Sequence, residues 1–266
     1  MLRAGWWLAG IATAVLLAWQ QPAAMQRLDL LAYDLLLPTH TAHTAGTNNG
    51  QPPVVVAIDD ASLEALGRWP WPRELHAQMV DRLREAGASA IGIAVLFSEP
   101  DTRNPASDAA LATAIARQGH VVLATAPAQQ PDGRIAAAPL LPTLVAPETS
   151  APPRLGHVDV EIDVDGQSRY IHLMAGNGEA DTPALALAVL QQAAPDPGWD
   201  QLVPMDTLHH APNRWVRAHE VLLPRMRGLP TVSFANALQS PQMLDIVRGR
   251  AVFVGITASG LGGELV

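Results

Sequence analysis

The chain has 266 residues, of which 48% are hydrophobic and 16% charged, so it has enough apolar surface to bury a core and is not a disordered chain. Its net charge of −8 and its 17 scattered basic residues argue against a nucleic-acid-binding surface, which needs clustered Lys and Arg. It has no cysteine, which excludes disulfides, thiolate nucleophiles and cysteine-ligated zinc. We therefore expect one sizeable folded domain, with no cofactor and no nucleic-acid partner.

The N-terminal segment is long and apolar enough to cross a membrane. Residues 4–25 carry no charge, and their number is close to the ~20 that span a hydrocarbon core. A cleaved signal peptide is the alternative, but no good small-x-small cleavage site follows, and helical periodicity continues through 28–37. We therefore predict a transmembrane anchor and juxtamembrane helix over 1–38. Arg3 precedes the span, so the positive-inside preference places the body outside the cytoplasmic (inner) membrane.

The folded body is predicted to begin at Val54. Residues 39–53 lack large apolar side chains and are rich in Thr, Gly, Asn and Pro, which is typical of a linker. Val54–Ile58 is a continuous apolar run, as expected of a strand that is buried on both faces. We therefore divide the chain into the anchor at 1–38, the linker at 39–53 and one domain at 54–266.

A strand, a helix and a second strand open this domain. In Arg73–Ala86 apolar residues recur at spacings of three and four, opposite a charged face, and Gly87 can end the helix. The apolar run at 89–97 predicts the second buried strand. Because this order of elements favours a right-handed crossover, we expect the two strands to be parallel.

The later part of the chain alternates periodic segments with irregular ones. In chain order it predicts a helix at 107–118, a strand at 120–124, strands at 157–164 and 168–174 paired as a hairpin about Asp165-Gly166, helices at 183–192 and 231–238, and a strand at 251–255. Residues 126–153 show no sustained pattern and are interpreted as an excursion over the core. The predicted fold class is α/β: a three-layer, mixed but mainly parallel sheet flanked by helices, preceded by one N-terminal transmembrane helix.

Several blocks of the body carry the residue patterns of a known family. They are VVAIDDASL at 55–63, LGRWPWPR at 66–73 with His76, IGIAVLFSEPD at 91–101, GHV at 156–158, DGQSR at 165–169 and VGITASGLG at 254–262. In this order, and over nearly the whole chain, they resemble the CHASE2 family of extracellular sensor domains. The WPWPR block is the most specific of these signals.

The resemblance implies a sensor module of a bacterial membrane receptor. Such domains are anchored by a preceding helix and followed by further transmembrane helices and a cytoplasmic output domain, such as the histidine kinase of a two-component system, a nucleotide cyclase or a Ser/Thr kinase. We therefore expect this chain not to be an enzyme, to respond to a small-molecule or environmental signal, to form a homodimer and to continue beyond Val266. Ala94 stands where many members carry an acidic residue, so a ligand role of that carboxylate does not carry over.

Four carboxylates are predicted to lie at one edge of the sheet. Asp59 and Asp60 follow the first strand, and Glu99 and Asp101 follow the second. Ligands of open α/β sheets bind beyond the carboxyl ends of parallel strands. Grouped there, the four acids would bind Mg²⁺, Ca²⁺ or a cationic ligand. The alternative is structural, with one of the two aspartates capping the next helix and Glu99-Pro100 making a turn.

The WPWPR block predicts an aromatic contribution to the same crevice. Trp69 and Trp71 are held by adjacent prolines, so their loop would lose little entropy on binding. With Arg73 and His76 they are predicted to line a ligand-binding crevice beside the first two acids. The alternative is a plug that packs the loop onto the sheet, with Arg73 paired to one of the acids.

Two functions of other classes stay open from the sequence. One is a membrane-anchored periplasmic hydrolase that uses the acidic crevice and His76. The closeness of Ser62, His76 and Asp59 in the sequence gives it weak support, because no G-x-S-x-G turn is present. The other is a structural dimerisation module.

Overall fold

The computed structural model describes residues 31, 51–144, 153–163, 165–178, 181–194, 214–222 and 228–259. The predicted membrane span at 4–25 and most of the predicted linker at 39–53 lie outside the described residues. Within the described ranges, no helix is long and apolar enough to cross a membrane. The described residues fall into two compact units: residue 31 with the described part of 161–169 forms one, and the other described residues form the second.

The larger unit alternates strands and helices. The strands are β1 (Val54–Ile58), β2 (Ala90–Ile93), β3 (Val121–Thr125), β4 (Pro127–Gln129), β5 (Ile135–Ala137), β6 (Arg154–His157), β7 (Tyr170–Asn177), β8 (Thr182–Pro183), β9 (Trp215–Leu222), β10 (Thr231–Ser233) and β11 (Ala251–Ile256). The helices are α1 (Asp60–Leu66), α2 (Arg73–Ala86), α3 (Pro105–Gln118), α4 (Leu185–Ala193) and α5 (Phe234–Gln239), with 3₁₀ helices at Pro142–Leu144 and Pro241–Val247. Six strands form one parallel sheet in the order β10-β1-β11-β2-β3-β6.

Helices cover both faces of the parallel sheet. On one face α2, α3 and α5 pack against side chains such as Ile91 and Val254, and on the other α4 packs against Val122 and Ala251. Successive residues of a strand point to opposite faces, so strands covered on both sides must be apolar throughout. The predicted α/β class, with a mainly parallel sheet flanked by helices, is confirmed.

Two glycines allow α4 to approach the sheet closely. A Cβ atom on Gly156 would lie 2.5 Å from the Cα of Leu185, and one on Gly92 would lie 2.6 Å from Cγ2 of Val189. Because these distances are shorter than any van der Waals contact, only glycine fits the present spacing of helix and sheet.

The bounds of the first long helix are confirmed, and those of the second nearly so. α2 has the predicted bounds and ends at Gly87, which adopts the left-handed conformation with φ of 85°. α3 ends at Gln118 as predicted, before Gly119 with φ of 77°. It begins at Pro105 rather than at 107, because proline suits the first turn of a helix.

The predicted hairpin about Asp165-Gly166 is wrong. β6 is an edge strand of the parallel sheet and pairs with β3, whereas β7 pairs antiparallel with β8 and β9. The turn itself is present, since the Gly166 N–H donates a hydrogen bond of 2.8 Å to the carbonyl of Asp163. The Asp-Gly signal locates a turn, but it carries no information on which distant strand each flanking segment will pair with.

Three other segments differ from their predicted form. The apolar run at 89–97 is a strand only over Ala90–Ile93. The segment at 231–238 begins as β10, which pairs with β1, and becomes the helix α5 at Phe234. The excursion at 126–153 contains the antiparallel pair β4 and β5. Short apolar runs fit both helix and strand, so the tertiary pairing decides.

The smaller unit contains a turn that one arginine holds. Nη1 of Arg169 donates to the carboxylates of Asp163 (2.9 Å) and Asp165 (3.0 Å), and Nη2 donates to Asp165 (2.6 Å). The side-chain hydrogen bonds from Arg169 lower the pKa of Asp165 to about 2. Both aspartates therefore serve to fix the turn.

Candidate functional site

The carboxylate of Asp59 joins three elements at the carboxyl edge of the parallel sheet. It caps α1, because its Oδ1 accepts hydrogen bonds from the backbone N–H (2.8 Å) and the hydroxyl (2.5 Å) of Ser62. The same oxygen accepts a hydrogen bond of 2.9 Å from the hydroxyl of Ser233, at the end of β10. Burial raises the pKa of Asp59, but the hydrogen bonds from Ser62 and Ser233 outweigh it and hold the pKa below its ordinary value.

Asp60 binds the segment that follows β11. Its two carboxylate oxygens accept hydrogen bonds from the backbone N–H and from the hydroxyl of Ser259, each 3.2 Å long. Beside them, the carbonyl of Ile58 accepts hydrogen bonds from the backbone N–H groups of Thr257 (3.0 Å) and Ala258 (3.1 Å). The end of β1 therefore holds the chain as it leaves β11.

Five rings form an aromatic cluster: Trp69, Trp71, His76, Phe97 and Phe234. Ring centroids lie 5.1 Å apart for Trp71 and Phe234, and 5.3 Å apart both for Trp69 and Trp71 and for His76 and Phe97. Trp71 and His76 are each 2% exposed, whereas Trp69 is half-buried and precedes a cis proline. This packing has the form of the plug, the structural alternative for the WPWPR block.

His76 is buried as a neutral ring. Its Nδ1 has no hydrogen-bond partner within the described ranges. Burial, and to a smaller extent the charge of Arg73, lower the pKa of His76 to about 3. The hydroxyl of Ser62 donates to Asp59 and not to this ring. The Ser62, His76 and Asp59 arrangement that the hydrolase hypothesis would use is therefore not assembled.

Arg73 links the start of α2 to the loop after β2. Its Nη2 donates a hydrogen bond of 3.0 Å to the carbonyl of Glu99, and its Cζ lies 5.1 Å from the centroid of the Phe97 ring. Its Nε lies 3.7 Å from Oδ1 of Asp108 in α3, and neither of these two buried atoms has a hydrogen-bond partner among the residues that the structure describes. Arg73 is thus paired with an acid as the plug interpretation requires, but with Asp108 rather than one of the four predicted carboxylates.

Asp101 organises the turn before α3. Its Oδ1 accepts hydrogen bonds from the backbone N–H groups of Arg103 (3.0 Å) and Asn104 (3.1 Å), and its Oδ2 accepts one from the hydroxyl of Ser107 (3.0 Å). The hydrogen bond from Asn104 contributes most to holding the pKa of Asp101 below its ordinary value. Glu99, in contrast, is exposed, and among the described residues its carboxylate has no partner.

The eight predicted site residues fall into three groups. These are the acidic pair (Asp59 and Asp60), the aromatic cluster (with Trp69, Trp71 and His76) and the loop group (Arg73, Glu99 and Asp101). Phe97 and Phe234 connect them, since Phe234 follows Ser233 and Phe97 contacts both His76 and Arg73. No three acids or histidines of the described ranges are arranged to hold a metal ion, so the four carboxylates do not form one cation site there.

Sequence patterns did not identify several partners of these residues. They are Ser233, Ser259, Phe97, Asp108 and Phe234. Most of them are distant in sequence from the residue that they contact, as Ser233 is from Asp59 at a separation of 174 positions. Only the strand order, which brings the ends of β1, β10 and β11 together, would have indicated the two serines.

The comparison with protein families agrees with the resemblance. The family model of the CHASE2 domain matches residues 9–265, which is nearly the whole chain. Comparisons with curated proteins and with solved structures gave no match. CHASE2 domains are extracellular sensor domains. By the extent of this match, the chain belongs to the CHASE2 family.

Proposed function

We propose that this domain is the extracytoplasmic sensory part of a membrane-bound signalling receptor, which controls an output domain in response to a small molecule or an environmental signal. Membership of the CHASE2 family supports the sensory role. The uncharged apolar segment at 4–25 supports anchoring in the cytoplasmic membrane. The receptor acts as a homodimer in this proposal, as the resemblance implies.

The contact between Asp60 and Ser259 carries the mechanistic part of the proposal. It ties the first residue of α1, just after β1, to the segment that leaves β11, by two hydrogen bonds of 3.2 Å. A sensor needs an element with two arrangements whose balance the stimulus changes. In our proposal this element is the segment at 257–259, which is either bound to the end of β1 or released from it.

The stimulus acts, in this proposal, at the loop group and the exposed side of the aromatic cluster. The carboxylate of Glu99 is exposed and, in the described part of the chain, unpaired. Arg73 and the half-buried Trp69 lie at the same end of α2. A cationic or polar ligand that binds Glu99 would pull on the loop through the hydrogen bond from Arg73 to the Glu99 carbonyl. Phe97, His76 and Phe234 would carry the displacement in that order to Ser233, and so to the acidic pair.

The test is made in the intact receptor in native membranes, with the basal activity of its output domain as the readout. Asp60→Ala removes both hydrogen bonds to Ser259, so we expect basal output to change several-fold at unchanged protein abundance. Glu64→Ala is the matched control, because Glu64 is an exposed acid on the same helix without a partner among the described residues. Equal output from both variants and the wild type would refute the proposal that the contact between Asp60 and Ser259 controls the output domain.

A further inference from the structure

His157 lies where the parallel sheet meets the three-stranded sheet β8-β7-β9. It is the last residue of β6, and its backbone pairs with Thr125 of β3. It also forms an isolated parallel bridge with Ala184, the residue between β8 and α4. The position of this residue therefore depends on both sheets.

The side chain of His157 is buried. The residue is 1% exposed, and among the described residues neither Nδ1 nor Nε2 has a hydrogen-bond partner. A neutral imidazole tolerates such a site, whereas a charged one would be strongly disfavoured there. The charged groups around the ring determine how easily it can be protonated.

In the part of the chain that the structure describes, three ionisable side chains act on His157. Asp159 favours a charged ring, whereas His172 of β7 and Arg217 of β9 oppose it. The carboxylate of Asp159 is already occupied, because it accepts hydrogen bonds from Nε (2.6 Å) and Nη2 (2.9 Å) of Arg217 and from Nε1 of Trp215 (2.7 Å). The other described elements that pack on β6 are β3, β8 and α4, and none of these three contains an ionisable side chain.

We propose that His157 is an acid-sensitive contact: the neutral ring keeps the three-stranded sheet docked on the edge of the parallel sheet, and the protonated ring releases it. A proton on the buried ring competes with Arg217 for Asp159. Since Asp159 ties the segment after β6 to β9, loss of its hydrogen bonds frees β9 and, through their pairing, β7. An extracytoplasmic domain with this contact responds to acidification of its surroundings independently of the site at the acidic pair.

The size of the response follows from the difference between the pKa of His157 in the docked form and its pKa in the released form. Burial, only partly opposed by Asp159 and the backbone of His172, lowers the pKa of His157 to about 4. A released, exposed ring titrates near its ordinary value of 6.5. The open form therefore takes up a proton first, and the equilibrium constant for release rises about 30-fold between pH 7.5 and pH 5.0.

Hydrogen–deuterium exchange on the purified full chain in detergent micelles tests this inference. After correction for the intrinsic pH dependence of exchange, we expect amides of β7 and β9 to exchange about 30-fold faster at pH 5.0 than at pH 7.5. Amides of β2 and β11 should keep their protection. Unchanged or increased protection of β7 and β9 at pH 5.0 would overturn the proposal.

Two variants and one spectroscopic measurement identify the responsible group. His157→Gln should abolish the acid response of β7 and β9, whereas His120→Gln should retain it, because His120 is exposed and, among the described residues, its ring is hydrogen-bonded to Gln192 and not to β7 or β9. A full response in His157→Gln would refute the assignment.

If His157→Gln does not fold, nitrogen NMR of the wild-type His157 ring decides between the two outcomes. The His157 ring must be neutral at pH 6.0 in the docked form, and a charged ring with full protection of β7 would contradict the proposal.

Discussion

Asp60 and Ser259 are 199 positions apart in the sequence, yet the carboxylate of the first accepts both the backbone N–H and the hydroxyl of the second. The contact exists because β1 and β11 are neighbours in the parallel sheet, with Ile58 opposite Ile256. Their carboxyl ends therefore meet at one edge, where the start of α1 reaches the segment after β11. This pair couples the predicted acidic pair to the segment that leaves the sheet.

Asp59→Ala should lower the free energy of unfolding by about 0.5–2 kcal/mol, because it removes the cap of α1 and the bond to Ser233. The folded pKa of Asp59 lies below the ordinary value of 3.8, so this contribution is present above about pH 4 and disappears as the pH falls through the folded pKa. Urea unfolding at pH 7 measures the loss. Glu64→Ala is the control and should stay within about 0.5 kcal/mol of the wild type. Equal losses would contradict the assigned role of Asp59.

Trp71→Ala should cost about 3–5 kcal/mol of unfolding free energy, since the side chain is 2% exposed and contacts Trp69, His76 and Phe234. Its Nε1 also loses its hydrogen bond to the backbone. Trp69→Ala should cost less, because Trp69 is only half-buried. Urea unfolding of both variants makes the comparison. A loss below about 1 kcal/mol for Trp71→Ala would show that the ring is not part of the core.

His76→Leu should make stability less dependent on pH. The folded pKa of about 3 lies below the unfolded value of 6.5, so the wild type loses about 1.4 kcal/mol per pH unit from this group as the pH falls below 6.5. Between pH 6.5 and pH 5.0, the variant should therefore lose about 2 kcal/mol less than the wild type. Urea unfolding at the two pH values measures this difference. Parallel pH profiles would mean that His76 takes up its proton as readily in the folded protein as in the unfolded one, and would contradict its burial as a neutral ring.

Gly156→Ala should destabilise the domain by about 1–3 kcal/mol, because the added Cβ would meet the backbone of Leu185 at 2.5 Å and α4 must move. Gly255→Ala is the matched control, since its Cβ would meet only the Cβ of Ala94, at an ordinary distance of 3.6 Å. Thermal unfolding of the two variants tests the close approach of α4. Equal melting temperatures would contradict it.

The strands and helices of the parallel sheet could be predicted where one local pattern dominates. α2 combines a clear 3.6-residue periodicity with a terminal glycine, and its predicted bounds are those observed. β1 and β11 are apolar throughout, because both faces of the sheet are covered. The pairing of β7 with β9 could not be predicted, since a local turn signal at Asp165-Gly166 does not identify distant partners.

The sequence proposes which residues form the candidate site, but their arrangement could not be predicted from it. The WPWPR block indicated buried or ligand-facing tryptophans equally well, and only the packing distinguishes Trp71 from Trp69. Asp59 and Asp60 are adjacent in the sequence, yet one binds Ser233 and the other Ser259. These differences arise from the strand order, which local patterns do not contain.

The measurement that tests the central claim most directly is the output of the intact receptor carrying Asp60→Cys and Ser259→Cys together. These 266 residues contain no other cysteine, so oxidation would join the start of α1 to the segment after β11 by one disulfide. The account predicts that the oxidised receptor has a fixed output that no longer changes with the stimulus, and that reduction restores the response. The two single-cysteine variants serve as controls and should respond under both conditions. An oxidised, fully cross-linked receptor that responds like the reduced one would contradict the account.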